Sequence, residues 1–556
     1  MTATASRTGT RPPAAPDRLA WLARRGVRRT LVGAYVLALG ALLWPALTVP
    51  IGTDDSVWVL VSAPHGGAGV RQFFGWVFGD MGAQPEDMGR FAQGSYVLQR
   101  FADILTMNAA VTTGLPPWVF RVALKVVLLA LATWTALALV RRVATRTGPD
   151  RQIAVLPAPA VAVVGWTLPV VVAVGANAVW LGDINGWVDY PVLTYGGVVV
   201  MLGVPLLLLR VVDAWHRRGR VVRALLVALL VVVAMFLNNS YELYLVAFPL
   251  GLIVLFLQPV PPEARRPRLW VAGTFSVAFV VFLVYYRVRV AQICAEITCY
   301  DGASLHLGPE TARVLRQNLF GAFPGGTREQ VGNLLWHVGK TSTMPQAFPP
   351  SYVVLGLLAV LVVAGLVWHS LAQVPGWVGG ILVRLAAVGV LAAAGSAVLV
   401  SVNERVAGLL RAPGIPFRAG VMVWFGWSLA LVALVLWAAL RAGRFRRHVV
   451  LAALVVLAAT IAHTLPLNLV GARAYASMPA GLTVNEIHEE VARGDITDGA
   501  DARRCELLAR FYELNAPSNR RTRIARGADL AFRHYHGTHF CTTVTGSFDD
   551  PFGTDG

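Results

Sequence analysis

Long apolar runs separated by short polar segments dominate this chain of 556 residues. The first run extends from Leu31 to Pro50, and the others approach the ~20 residues that a helix needs to cross ~30 Å of hydrocarbon. We predict the later spans at Phe120–Val140, Ile153–Val174, Tyr195–Val212, Val222–Leu237, Leu243–Leu257, Leu269–Val288, Tyr352–Leu371, Ile381–Val402, Val421–Leu440 and Val449–Val470. The pattern therefore predicts an all-α polytopic membrane protein with about eleven transmembrane helices.

Composition and charge support a membrane protein and set its orientation. The chain is 56% hydrophobic and 14% charged, which leaves too little polar surface for a soluble protein. The net charge of +18 does not indicate a nucleic-acid partner, because the basic residues cluster in short loops, as the positive-inside rule expects. The loops predicted to be cytoplasmic carry Arg141, Arg142, Arg146, Arg217, Arg218, Arg220, Arg265, Arg266, Arg268, Arg441, Arg444, Arg446 and Arg447.

This orientation divides the chain into three parts. Residues 1–29 form a basic cytoplasmic tail that we expect to be disordered, and residues 30–470 form the transmembrane domain. Residues 471–556 form a small extracytoplasmic domain, and the outer loops are 51–118, 175–194, 289–350 and 403–420. The preference for arginine over lysine suggests a GC-rich bacterial genome, so we expect a multi-pass protein of a bacterial plasma membrane.

All four cysteines lie in segments predicted to face outward, where the environment is oxidising. An even number on that face predicts two disulfides, although four cysteines allow three pairings. Proximity in the sequence favours Cys294 with Cys299 and Cys505 with Cys541. Four unrelated free thiols remain the alternative.

The strongest candidates for chemistry are Asp54 and Asp55, directly after the first apolar run. A carboxylate at the outer membrane surface suits a general base that takes a proton from an attacking hydroxyl. Low dielectric and a neighbouring like charge would raise one of the two pKa values into a useful range. We favour Asp54 as the base. The alternative is an ordinary loop start or Asx-type turn.

Further polar residues are predicted at similar depth and are candidates for substrate binding. Paired acids can position a sugar or ligate a divalent cation, the one cofactor left open, and arginine or lysine can hold a phosphate. The alternatives are loop salt bridges, helix caps and side chains that snorkel to the headgroups. The candidates are Glu86, Asp87, Arg90, Lys125, Asn239, Glu242, Arg405 and Arg418. The histidines at 534, 536 and 539 match no strong metal-binding spacing, so the metal requirement stays open.

The first span, the acidic pair outside it, the long first outer loop and the outer C-terminal domain resemble the GT-C membrane glycosyltransferases. Gly89-Arg90-Phe91 is similar to a glycine-arginine element after the acidic pair in Gtr-type glucosyltransferases, and actinobacterial arabinosyltransferases share the architecture. The resemblance implies a polyprenyl-phosphate sugar donor and an outer-loop Asp as base, here Asp54 or Asp55. This chain is much shorter than the arabinosyltransferases, and its spacing from Asp55 to Gly89 is long for the Gtr pattern.

The function expected is transfer of a hexose or pentose from the lipid donor to a cell-envelope glycan, lipid or protein. Its partners would be the donor, the acceptor and membrane lipids. Two alternatives remain: a transporter or flippase of lipid-linked saccharides, and a polysaccharide polymerase or ligase. A transporter would place charges at mid-membrane and repeat its fold in inverted halves.

Overall fold

The structure is a computed structural model of the whole chain, and its placement is described for most of the apolar runs. The residues described are 25–49, 51, 53–66, 71, 73–76, 92–143, 157–176, 186–217, 219–258, 262–296, 307–324, 350–371, 373–374, 378–403, 406, 418–476, 479–515 and 518–543.

The regular elements in these ranges are helices. They are α1 Arg25–Leu47, α2 Thr53–Ser62, α3 Gln93–Thr113, α4 Pro117–Val143, α5 Ala158–Val174, α6 Pro191–Arg217, α7 Arg220–Asn238, α8 Ala247–Leu257, α9 Pro262–Glu296, α10 Pro309–Gly321, α11 Pro350–Leu371, α12 Gly379–Ser401, α13 Gly420–Arg441, α14 Arg446–Ala476, α15 Pro479–Arg493, α16 Asp498–Leu514 and α17 Asn519–His536. Short 3-10 turns cover Ala63–Gly66, Glu242–Val246 and Gly443–Phe445.

The apolar runs form helices as the sequence predicts. Within the described residues, eight helices are long and apolar enough to cross a membrane. They are Arg29–Leu47, Pro117–Val143, Pro191–Trp215, Arg220–Asn238, Pro262–Glu296, Gly379–Ser401, Gly420–Arg441 and Gly443–Arg473. Three more apolar helices are shorter, at Ala158–Val174, Glu242–Leu257 and Gly356–Trp368, and each coincides with a predicted span. The structure is that of a helical membrane protein.

Proline and glycine mark many helix ends. Helices α4, α6, α9, α10, α11 and α15 all begin on a proline, whose fixed φ suits the first helical position and whose missing N–H would have no intrahelical partner there. Helices α3, α15 and α17 are followed by Gly114, Gly494 and Gly537 at positive φ. Gly494 also lies against the ring of His536, so no Cβ fits there.

A close backbone approach inside the bundle joins α12 and α13. A Cβ on Gly389 would lie 2.6 Å from the carbonyl oxygen of Gly426, and a Cβ on Gly426 would lie 2.5 Å from the amide nitrogen of Ala393. With Ala430, these residues place a small side chain every four positions on both helices. This spacing lets two membrane helices approach closely enough for their backbones to touch. We call these four residues the small-residue seam.

The C-terminal helices share a hydrophobic core with the segment after the first span. Val57 and Leu60 of α2 and Met107 of α3 are buried together with Phe511 of α16 and Phe532 of α17. The predicted C-terminal domain is thus joined to the first predicted outer loop through a common core. Its first helix, α15, starts at Pro479, because α14 continues past the predicted boundary at 471 to Ala476.

Candidate site

Asp55 of α2 lies at the centre of a buried ionic cluster at one end of the bundle. Arg121 of α4 donates from Nη2 to Oδ1 of Asp55 at 2.8 Å and to Oδ1 of Asp103 of α3 at 2.6 Å. All three side chains are at most 3% exposed. A single guanidinium thus joins α2, α3 and α4.

Two neighbouring residues of α3 extend the cluster. Gln99 donates from Nε2 to Asp103 at 2.8 Å, and its Oε1 accepts the backbone N–H of Val192 at the start of α6. Arg100 donates from Nη1 to Oδ2 of Asp103 at 2.9 Å, and its guanidinium stacks 3.6 Å above the ring of Trp58. The cluster therefore connects α2, α3, α4 and α6 through charge-assisted hydrogen bonds and one cation–π contact.

Lys125 lies one helical turn after Arg121 and is also buried. The acids within its electrostatic reach are Asp189 and Asp55. Asp189 is fully buried and precedes Tyr190, the one non-glycine residue among those described whose φ is positive, at 49°. Strained backbone of this kind persists where the surrounding structure holds it, often at functional sites. The guanidinium of Arg418 lies 4.6 Å above the Tyr190 ring.

His488 of α15 closes the cluster from the C-terminal side. It is buried beside the backbone of Ser56 and within reach of the charge of Arg121. Burial lowers its pKa to about 4, so its imidazole is neutral at pH 7. Burial acts oppositely on Asp55 and raises its pKa to about 6, with Arg121 opposing and Asp103 reinforcing the rise. Asp55 is therefore a carboxylate at pH 7 and a stronger base than an ordinary aspartate.

The charges of the cluster balance, but its donors are not all used. The buried cations Arg100, Arg121 and Lys125 face the buried acids Asp55, Asp103 and Asp189. Among the described residues, Nε and Nη1 of Arg121 and Nε and Nη2 of Arg100 are buried without a hydrogen-bond partner. A buried unpaired donor is unfavourable unless an acceptor satisfies it. An anionic group with several oxygens, such as a phosphate, would satisfy these donors.

Four of the predicted binding residues are described, and they lie at different distances from the cluster. Lys125 is part of it. Asn239 lies at the other end of α3, where its carbonyl oxygen accepts the N–H of Gly94 at 2.7 Å, and Glu242 follows it in a 3-10 turn. Arg100 and Asp103 lie six and nine residues after Gly94 on α3, which corresponds to ~9 Å and ~14 Å along the helix axis. Arg418 reaches the cluster through Tyr190.

Other predicted residues lie outside the described part of the structure. These are Glu86, Asp87, Arg90, Arg405 and Cys299, together with the side chain of Asp54, whose backbone lies in the first turn of α2. The predicted disulfide between Cys505 and Cys541 is present. Cys294 on α9 is also disulfide-bonded.

Sequence reasoning missed Arg100, Asp103 and His488 as site residues. The signal for the first two was their position on α3. Gln99 and Asp103 are four residues apart and share one face of that helix, whereas Leu98, Phe101 and Leu105 share the opposite face. Nothing in the sequence near His488 points to the first loop, because the contact exists only in the tertiary structure.

No group of three His, Cys, Asp or Glu side chains suited to a metal ion occurs among the described residues. Comparison of the chain with protein-family models, with curated proteins and with solved structures found no match.

Proposed function

We propose that this protein is an integral membrane glycosyltransferase that uses a polyprenyl-phosphate sugar donor and an extracytoplasmic cell-envelope acceptor. The supporting observation is the buried cluster around Asp55. It combines a carboxylate of raised pKa with buried guanidinium groups that have unused donors, and it lies at the end of an apolar helical bundle. A lipid donor delivers its phosphate and sugar to that depth while its chain stays among the spans.

The acidic pair supplies the base in this proposal. An acceptor hydroxyl attacks the anomeric carbon, and a carboxylate of Asp54 or Asp55 takes its proton as the new glycosidic bond forms. The bond between the anomeric carbon and the phosphate oxygen breaks, and the carrier leaves as a phosphate that needs no proton at neutral pH. The surroundings of Asp55 suit this role because a base of pKa about 6 is ionised at pH 7 and still accepts a proton readily.

The cations hold the phosphate in this proposal. Arg100 and Arg121 each have two buried guanidinium nitrogens without a described hydrogen-bond partner, and guanidinium forks match phosphate oxygens in pairs. Lys125 adds a point charge one turn further along α4. Negative charge that develops on the leaving phosphate would thus be stabilised by groups already held in place by Asp55 and Asp103.

The test is sugar transfer by the full-length protein in proteoliposomes. A panel of polyprenyl-phosphate hexoses and pentoses would be supplied together with cell-envelope glycan, lipid and protein fractions as acceptors, and release of polyprenyl phosphate measured. We expect Asp54→Asn or Asp55→Asn to lower the rate by roughly 10²–10⁴-fold, the range for loss of a general base. The control is Asp213→Asn, which removes a half-exposed carboxylate far from the cluster in sequence and should leave the rate unchanged.

Full activity in both aspartate variants would remove the base assignment. The pH dependence distinguishes the two residues. If Asp55 is the base, kcat/KM of the wild-type enzyme falls as the pH drops below about 6, because the protonated carboxyl no longer accepts a proton. If kcat/KM of the Asp55→Asn variant still falls at low pH, the base is Asp54.

A further inference from the structure

Helix α3 is amphipathic, but its polar face is buried in the protein and its apolar face is exposed. Its side chains Gln99 and Asp103 are buried in the ionic cluster, while Leu98, Phe101 and Leu105 on the opposite face are each about half exposed. The spacing of these three, i, i+3 and i+7, places them in one line along the helix. We call these three residues the outer stripe. In a water-soluble protein a helix packs the other way round, with its apolar line inward.

Both ends of α3 are tied to the same end of the bundle. At its start, Gly94 donates to the carbonyl oxygen of Asn239, directly after α7 ends. At its finish, Gly114 to Pro116 lead directly into α4. Midway, Gln99 binds the first turn of α6 through Val192. At this end of the bundle α7 ends and α4 and α6 begin. Because α3 is joined to all three helices and is ~31 Å long, it lies across the end of the bundle.

The outer stripe continues the exposed apolar surface of the membrane-spanning helices. Val232 and Met235 in the last turns of α7 are exposed near the start of α3, and Leu115 is exposed at its finish. Val126 and Val127 follow on α4 and are exposed as well. On α4 and α7 these exposed apolar side chains form the surface that faces lipid. The stripe extends this exposed apolar surface sideways across the end of the bundle as far as Leu105.

Aromatic side chains lie beside the stripe. The ring of Phe73 lies 6.3 Å from that of Phe101, and Phe74 next to it is exposed. Trp76 packs with Phe73 and stacks on His65 at 3.9 Å. Tryptophan and other aromatic rings concentrate at the level of lipid headgroups, where an apolar body and a polar edge are both satisfied.

We propose that α3 is an in-plane helix of the membrane surface, with the outer stripe immersed in the boundary between headgroups and acyl chains. The partner of this surface is the lipid bilayer. Its arrangement differs from that of a free amphipathic helix, because its polar face is covered by the protein. The same helix carries Arg100 and Asp103, so contact with lipid and the position of the ionic cluster are coupled through one rigid element.

The experiment uses the full-length protein in nanodiscs of phosphatidylcholine and phosphatidylglycerol. Leu98→Cys and Leu105→Cys would each carry a nitroxide, and collision with O₂ and with a water-soluble nickel chelate would be compared. The described cysteines are all disulfide-bonded, so the introduced thiol is labelled selectively. The membrane reference is Val127→Cys on α4, and the water reference is Ile496→Cys between α15 and α16, both well exposed.

We expect both stripe labels to prefer O₂ over the nickel chelate, as the Val127 label does. A stripe label that behaves like the Ile496 label would overturn the proposal, since the stripe would then face water. Protection from both reagents would overturn it as well, because a second copy or another protein would cover the stripe.

A second measurement needs no variant. The wild-type protein would be irradiated with phospholipids that carry a diazirine in the acyl chain, and adducts mapped by mass spectrometry. We expect adducts on Leu98, Phe101 and Leu105 and none on Asp103. Adducts on the spans without any on the stripe would contradict the proposal.

Discussion

The small-residue seam between α12 and α13 and the ionic cluster around Asp55 join helices by opposite chemistry. At the seam, Gly389 and Gly426 let the backbones touch, and the contact contains no charged side chain. At the cluster, Arg121 bridges two buried carboxylates. Close backbone packing stabilises a membrane bundle directly. For a buried ion pair, the free-energy cost of removing both charges from water often cancels their attraction. The cluster therefore adds little to the stability of the fold, and we regard it as a candidate for chemistry.

The largest effect should come from breaking the cluster. Arg121→Ala leaves Asp55 without its ion-pair partner and removes one of the three side-chain hydrogen bonds to Asp103. We expect a loss of about 3–5 kcal/mol in the free energy of unfolding. The matched control is Arg142→Ala, which removes a partly exposed pair with Asp213 and should cost about 0–1 kcal/mol. Unfolding in mixed micelles measures both. Equal losses in the two variants would mean that burial does not set the strength of the cluster.

A smaller loss should follow from filling the seam. Gly389→Leu forces a side chain against the backbone of α13, and overpacking of this kind typically costs about 1–3 kcal/mol. Gly365→Leu on α11 is the control, because nothing lies within 4 Å of a Cβ at that position. The same unfolding assay applies. If the control were as destabilised as Gly389→Leu, the loss would reflect the substitution and not the close approach.

The pH dependence of stability should separate two buried groups of the cluster. The folded-state pKa of His488 is lowered to about 4, so its contribution is present above the unfolded value near 6.5 and is lost as the pH falls toward 4. The pKa of Asp55 is raised to about 6, so its contribution is present below the unfolded value and is lost as the pH rises through 6. Between pH 4 and 6 the two slopes oppose each other.

The substitution His488→Phe should therefore reveal the part of the pH dependence of stability that comes from Asp55. We expect this variant to gain stability relative to wild type as the pH falls from 6.5 to 4, by up to about 1.4 kcal/mol per pH unit. Unfolding at closely spaced pH values measures the difference. An identical pH profile in variant and wild type would show that His488 is not a buried neutral group.

The smallest effect concerns salt. The coupling energy between Arg142 and Asp213 should fall toward zero as NaCl rises to about 1 M, because the Debye length shrinks to about 3 Å. The coupling between Arg121 and Asp55 should barely change, because water and ions do not reach it. Double-mutant cycles at low and high salt measure both. Equal screening of the two pairs would place the cluster in contact with solvent.

The helices could be predicted from the sequence, whereas the site could be predicted only in part. Every predicted span falls on a described helix, because the length and continuity of an apolar run decide local structure in a membrane. Asp55 and Lys125 were recognised because charges beside apolar runs are unusual. Arg100 and Asp103 were not, because residues 51–118 were predicted as an outer loop and the sequence alone does not show which of their side chains are buried.

Taken alone, the sequence determined a helical membrane protein and the spacing of its apolar runs, since both depend on local composition. Only the tertiary structure decided which face of α3 turns inward, because that choice follows from the partners Arg121 and Val192 on other helices. It likewise decided that His488 lies beside the backbone of Ser56, more than four hundred residues earlier in the chain. Which buried charges form pairs depends on how the helices pack, and the packing depends on the whole fold.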